Sequence, residues 1–218
     1  VIDELPPGRT PIVTKLIDQS RRHEVVDKVA QEVSKGEQVY WVCPLIEESE
    51  ALELQTAIDT HGALVATLPE LNIGLVHGRM SAQEKRDVMA EFVAGRIQIL
   101  VATTVIEVGV DVPNASWMVI EHAERFGLSQ LHQLRGRVGR GALQSTCVML
   151  FEKPLSAMAK ARLKIMYEST DGIEIAREDL RLRGPGEFLG AKQSGLPLLR
   201  FADLEKDIEL LERARDAA

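Results

Sequence analysis

Six short apolar runs punctuate the first 150 residues, with helical patterns between them. They are a stretch near Ile12–Leu16, then VYWVC (Val39–Cys43), IGLV (Ile73–Val76), IQILVA (Ile97–Ala102), WMVIE (Trp117–Glu121) and TCVMLF (Thr146–Phe151). Their apolar character is nearly continuous rather than alternating, as expected of strands covered on both faces. Helices are expected near Arg22–Ser34, Glu48–Leu64, Ala82–Ala94 and Gln130–Arg137. The third is the best defined. Ser81 and Glu84 make a capping box, Val88, Met89, Phe92 and Val93 share a face, and Gly95 follows the end. Strand and helix in alternation predict an α/β fold with a mostly parallel, doubly wound sheet.

The pattern changes after residue 153, so residues 1–153 are expected to form the main domain and 154–218 a smaller extension. Residues 155–168 read as a helix with Leu155, Ala159, Arg162 and Met166 on one face, and a second covers Ile173–Leu180. A glycine-rich loop, RLRGPGEFLGAKQSGLP, precedes a last helix from Asp203 that carries Leu204, Ile208 and Leu211 and a Glu209/Arg213 pair. Both ends read as cuts within a longer chain. No apolar run approaches the roughly 18–20 residues of a membrane span, and no signal peptide opens the sequence, so no membrane partner is expected. Cys43 and Cys147 sit in separate strand runs without metal-ligand spacing. A reducing cytoplasm and no structural metal follow.

Net charge is −7, but its distribution matters more for anion binding than its total. Residues 1–72 carry 13 acids and 6 bases, which accounts for the whole excess, and no acid occurs between Arg125 and Phe151. That acid-free stretch holds the string QLRGRVGR (Gln133–Arg140). Gln133, Arg137 and Arg140 recur at +4 and +3, which would stack them on one helical stripe, opposite Leu131, Leu134 and Val138. Gly136 and Gly139 would each cost about 1 kcal/mol inside such a helix. Guanidinium groups on a glycine-notched surface suit a polyphosphate, whose oxygens they meet in planar, bidentate fashion. The plainer alternative is a Gly/Arg-rich surface turn.

Ligands of open parallel sheets gather at the carboxyl ends of the strands. His77–Gly78–Arg79 and Thr103–Thr104 are expected there, with the arginine helix converging on them. The threonine hydroxyls and the free amides beyond them could grip a phosphate. Gly109 would permit close backbone approach, and Asp111 could accept hydrogen bonds from a sugar. Arg137 and Arg140 could stabilise a transferring phosphoryl group, a role worth about 10³–10⁵ in rate. Taken singly, Thr-Thr is an ordinary strand end, Asp111 a turn residue and His77 a structural histidine. Their order is what carries weight.

That order resembles the second RecA-like domain of superfamily-2 helicases. VYWVCPLIEES resembles its first conserved block, ATTVIEVGVDVPNA its motif V, and QLRGRVGRG its motif VI. The resemblance implies that Gln133, Arg137 and Arg140 face ATP across an interdomain cleft, with Arg140 as arginine finger. It also implies that Thr103 and Thr104 face the nucleic-acid backbone and that Gly109–Asp111 links the two sites. REDLRLRGPGEFLGAKQSG (Arg177–Gly195) resembles the translocation motif of the RecG family of DNA-repair helicases. A related motif occurs in bacterial transcription-repair coupling factors. VIDELPPGRTPI looks like that family's inter-domain segment. Carried over, Arg181, Arg183, Glu187 and Gln193 would couple ATP hydrolysis to movement on double-stranded or branched DNA. A bacterial cytoplasmic protein working at the nucleoid is implied.

No G-x-x-x-x-G-K-[ST] occurs in the sequence, so a phosphate-cradling loop and the hydroxyl that would place Mg²⁺ are expected on a separate first motor domain. A DNA-junction wedge domain is likewise expected elsewhere. Three other readings stay open: a transcription-repair coupling translocase, a dinucleotide-binding domain built on Gly184–Gly190, and a non-catalytic interaction module that keeps a motor fold.

Overall fold

The computed structural model describes residues 11–44, 50–103, 112–141 and 143–183. Its strands are β1 (Val13–Asp18), β2 (Gln38–Val42), β3 (Ile73–Val76), β4 (Ile99–Ala102), β5 (Ala115–Ile120) and β6 (Thr146–Phe151). Its helices are α1 (Arg22–Val33), α2 (Glu50–Thr67), α3 (Ala82–Val93), α4 (Leu128–Arg135), α5 (Ala157–Glu168) and α6 (Gly172–Arg183). The strands form one sheet in the order β1-β6-β5-β2-β4-β3, and every neighbouring pair is parallel. All six expected strands are present, and the doubly wound sheet is confirmed. The chain divides into two units, Val1–Leu182 and Arg183–Ala218. The expected glycine-rich loop and last helix lie outside the described residues.

Continuous burial explains the continuous apolar runs. Every residue of β2, β4 and β5 is buried, and successive side chains enter two separate cores. On one face α1 and α2 bring Val25, Val29, Ala57 and Leu64 against Val39, Trp41, Val101 and Val119. On the other, Phe92, Leu131, Leu163 and Ile175 of α3 to α6 meet Tyr40, Leu100, Met118 and Met149.

Local signals set the helix starts. Ser81 Oγ accepts from Glu84 N–H at 3.2 Å, and Glu84 Oε2 accepts from Ser81 N–H at 2.7 Å, so the capping box forms as read. Ser156 caps α5 in the same manner through Ala159 N–H. One expectation fails on α3: Val93 is 46% exposed. The sheet beside α3 ends at the edge strand β3, and only a narrow strip of the helix, centred on Phe92, is covered.

Two charged groups hold elements in place. Glu32 on α1 is nearly buried and pairs with Lys28 at 2.6 Å and Lys35 at 2.9 Å. The bonds from Lys28 and then Lys35 hold its carboxyl at about 2, down from 4.5. Arg135, the last residue of α4, is 3% exposed. It donates to the carbonyls of Met166 at 2.9 Å and Ser169 at 2.8 Å, and to Thr14 Oγ1 at 3.4 Å. Those carbonyls belong to the last turn of α5 and its cap, whose carbonyl groups lack helical partners and carry the negative end of the helix dipole. Burial pulls the guanidinium's pKa down.

Two outcomes follow. A carboxyl depressed in the folded state contributes stability above its unfolded pKa and loses it as pH falls through the folded value. Glu32→Gln should therefore lower the thermal midpoint at pH 6, and the difference should vanish as pH falls from 4.5 toward 2. Arg135→Met strands two buried carbonyls, so urea unfolding should show a loss of about 1.5–3 kcal/mol.

Candidate nucleotide and nucleic-acid surfaces

Because all strands run one way, the sheet has a carboxyl edge and an amino edge. Four- to six-residue strands at about 3.3 Å per residue separate the two edges by roughly 13–20 Å. The candidate residues divide between them.

His77, Gly78 and Arg79 follow β3 at the carboxyl edge, and Thr103 follows the adjacent β4. Thr103 N–H donates to Val76 O at 3.2 Å, and Met80 N–H closes a turn on His77 O at 3.2 Å. Gly78 and Arg79 are exposed. Thr103 is 3% exposed, so its side chain is turned into the fold, contrary to a free phosphate-gripping hydroxyl. His77 is half-buried, and among the described residues its Nδ1 has no hydrogen-bond partner. The N-terminus of α3 begins at once beyond this turn, adding the positive end of a helix dipole beside Arg79.

The arginine string is built differently from the expected helical stripe. Gly127 N–H is held by Gln130 Oε1 at 2.9 Å where α4 begins, and the helix stops at Arg135 with Gly136 as its cap. Arg137 N–H turns back to Leu134 O at 3.0 Å. Gly139 then adopts φ +82°, which no helix accommodates and which glycine takes at little cost. Arg137 and Arg140 therefore stand on a loop, not on a helix face with Gln133. Neither glycine sits inside a helix, so the helical cost expected for them does not arise. Gln133 is exposed, while Arg137 and Arg140 are half-buried. Arg137 has no acidic partner among the described residues. The loop is anchored by Val138, fully buried, and by Gly139 N–H donating to Ser145 Oγ at 2.9 Å.

Ser145 immediately precedes β6, and Gly141 lies against the backbone of Pro113, just before β5. The arginine loop thus lies at the amino edge of the sheet. It does not converge with His77–Arg79 and Thr103, because α4 leaves the carboxyl end of β5 and runs back antiparallel to it. Thr104, Gly109 and Asp111 lie outside the described residues, but the ends of that segment are placed: Thr103 at the carboxyl edge and Val112 at the amino edge.

Arg181 on α6 is 76% exposed at its side chain and pairs with Glu178 at 3.6 Å. Arg183 is the last residue of α6, and its side chain, like Glu187 and Gln193, lies outside the described residues. Arg135 was not singled out by sequence. Its place at the turn where α4 ends, flanked by apolar residues on the buried stripe, was the available signal.

Among the described residues, His122, Glu124 and Glu152 bring ligand atoms within 4.8 Å of one another at the ends of β5 and β6. His122 Nδ1 lies 3.2 Å from Glu124 and 3.6 Å from Glu152, and the Glu124 hydrogen bond raises its pKa. The set is an ion-paired cluster. Burial pushes the thiols of Cys43 and Cys147 up to about 12, which makes them inert. Among the described residues no helix is long and apolar enough to cross a membrane.

Comparison with known proteins fits this architecture. Residues 21–142 match the helicase conserved C-terminal domain, and residues 169–218 match the family described as ATP-dependent DNA helicase RecG, domain 3, C-terminal. The chain is 58% identical over 211 residues to the ATP-dependent DNA helicase RecG of Acidithiobacillus ferridurans, covering 97% of this chain and 31% of that protein. It is 56% identical over 219 residues to that of Escherichia coli (strain K12), covering 100% and 32%. It therefore spans about a third of the length of the curated relatives it matches. A solved structure of RecG bound to a three-way DNA junction matches with a TM-score of 0.73 and 47% identity, over 96% of this chain and 27% of that one. The chain belongs to the helicase conserved C-terminal domain family and matches the C-terminal part of RecG helicases.

Proposed function

We propose that this chain is the second motor lobe, with its coupling extension, of an ATP-driven DNA translocase that remodels branched DNA in recombination and repair. The observation that carries the proposal is the glycine-turned loop that places Arg137 and Arg140 at the amino edge of the sheet, within a stretch, residues 126–150, that contains no acidic residue. ATP would supply the γ-phosphoryl group for in-line transfer to water. Arg140 acts as the arginine finger that neutralises charge developing on it, and Arg137 holds a neighbouring phosphate. Gln133, exposed on the last turns of α4, and Gly109–Asp111, which lead toward Pro113, complete this lobe's side of the nucleotide pocket. The acid-free loop offers no carboxylate for Mg²⁺, so the metal's ligands and the phosphate loop belong to a first motor domain, which together with a wedge domain forms the rest of the enzyme.

The carboxyl edge serves DNA. Exposed Arg79 and Gly78, with half-buried His77, form a backbone-contact surface that positions a strand without reading its sequence, and we assign Thr104, outside the described residues, to the same role. The segment from Thr103 to Val112 joins that surface to the nucleotide edge. We assign the division at 153/154 to function rather than packing: residues 154–218, through Arg181, Arg183, Glu187 and Gln193, convert turnover into movement. The match of residues 169–218 to the RecG-specific region supports branched-DNA remodelling over transcription-repair coupling. Two free, buried cysteines suit a reducing cytoplasm.

In the full-length protein, Arg140→Ala should lower the turnover number for ATP about 10³-fold or more. Junction affinity at fixed salt should change by no more than about threefold, since the phosphate contacts on DNA lie at the other edge. Undiminished turnover would contradict the assignment. The 218-residue chain alone should hydrolyse ATP negligibly with or without DNA. Robust DNA-stimulated release of phosphate would show a complete pocket within it.

A further inference from the structure

We propose that Gly141 is a positioning residue of the nucleotide site, clamping the arginine loop onto the backbone of Pro113 and so fixing where Arg140 points. This deepens the functional assignment above and rests on it. A Cβ added at Gly141 would overlap the carbonyl oxygen of Pro113 and sit 3.2 Å from its carbonyl carbon and 3.5 Å from its Cα. All three blocking atoms are main chain, so no rotamer change makes room.

Neither side of this contact can retreat cheaply. Val112 is 4% exposed, and its carbonyl accepts from Ala115 N–H at 3.0 Å. Asn114 O accepts from Gln38 N–H at 2.7 Å, which ties the residue after Pro113 to the start of β2. Across from it, Ser145 is 1% exposed and its Oγ holds Gly139 N–H at 2.9 Å. Between the two clamps sits Arg140, one residue from each glycine. A side chain at 141 must therefore displace the loop and swing the guanidinium with it. By contrast, a Cβ at Gly62 on α2 would meet nothing within 4 Å.

The test uses the full-length protein with Gly141→Ala, Arg140→Ala and, as a control, Gly62→Ala. Displacement of a catalytic group by an ångström or less costs on the order of 10²-fold in rate. For Gly141→Ala we expect kcat to fall by that order with KM for ATP within about twofold, and junction affinity unchanged, because a transition-state contact is lost rather than ground-state binding. Gly62→Ala should match the parent. A merely structural role would lower the unfolding midpoint while leaving kcat intact well below it. Should Gly141→Ala not fold, Ser145→Ala, which removes only the hydroxyl holding Gly139 N–H, must lower kcat with KM unchanged; an unchanged kcat there overturns the clamp. Full activity in Gly141→Ala with an inactive Arg140→Ala overturns this inference alone. Full activity in both overturns the functional assignment beneath it.

Discussion

Parallel pairing of all six strands is the constraint on which the rest of the architecture depends. A parallel strand cannot follow its neighbour through a tight turn, so each connection must travel back along the sheet. That return separates two kinds of surface. Residues leaving strands, such as His77–Arg79 and Thr103, gather at the carboxyl edge, whereas residues entering strands, such as Pro113 and Ser145, gather at the amino edge. The arginine loop precedes β6 and so belongs to the second group. The His77–Arg79 turn and the arginine loop thereby lie at opposite ends of the strands of a single sheet, which is the separation the proposed nucleic-acid and nucleotide surfaces rest on.

The three arginines of QLRGRVGR divide the labour within a few residues of one another. Arg135 is buried and spends its donors on carbonyls at the end of α5 and on Thr14. A buried guanidinium without a carboxylate partner among those contacts is tolerated because an α-helix C-terminus is itself a concentrated negative pole. Arg137 and Arg140 stand half-buried on the loop at the amino edge. The change of role follows from Gly136 and Gly139. The first ends the helix and the second reverses the chain into a conformation other residues rarely adopt, so the string cannot continue around one helical face. Arg135 anchors α4 and Ser145 anchors the loop, which gives the two outer arginines a fixed base; the proposed stabilisation of a developing charge requires one.

Much of the fold was legible because burial on both faces leaves a direct mark on composition. Val39–Cys43 and Trp117–Glu121 read as strands since nearly every position there must be apolar, and Ser81 with Glu84 marked a helix start through purely local hydrogen bonds. The two surfaces were only half legible. Residue types at Arg137, Arg140 and Arg79 announced phosphate chemistry, but their placement on one edge or the other depends on how strands pair at long range. Thr103 illustrates the difficulty: a hydroxyl at a strand end reads as a ligand, yet in the fold the residue is only 3% exposed. Gly141 could not be distinguished from an ordinary loop glycine, because the atom it must avoid belongs to Pro113, distant in sequence.

By itself the sequence determined the alternating elements, the two-sided sheet and the chemistry of an acid-free, arginine-bearing loop, because periodicity, capping and charge are properties of neighbouring residues. Only the tertiary structure decided that Arg135 is a structural anchor, that Thr103 is buried, and that the arginine loop and the His77–Arg79 turn occupy opposite edges. Those outcomes depend on strand order and direction, which are set by long-range pairing and close backbone approach rather than by any local preference.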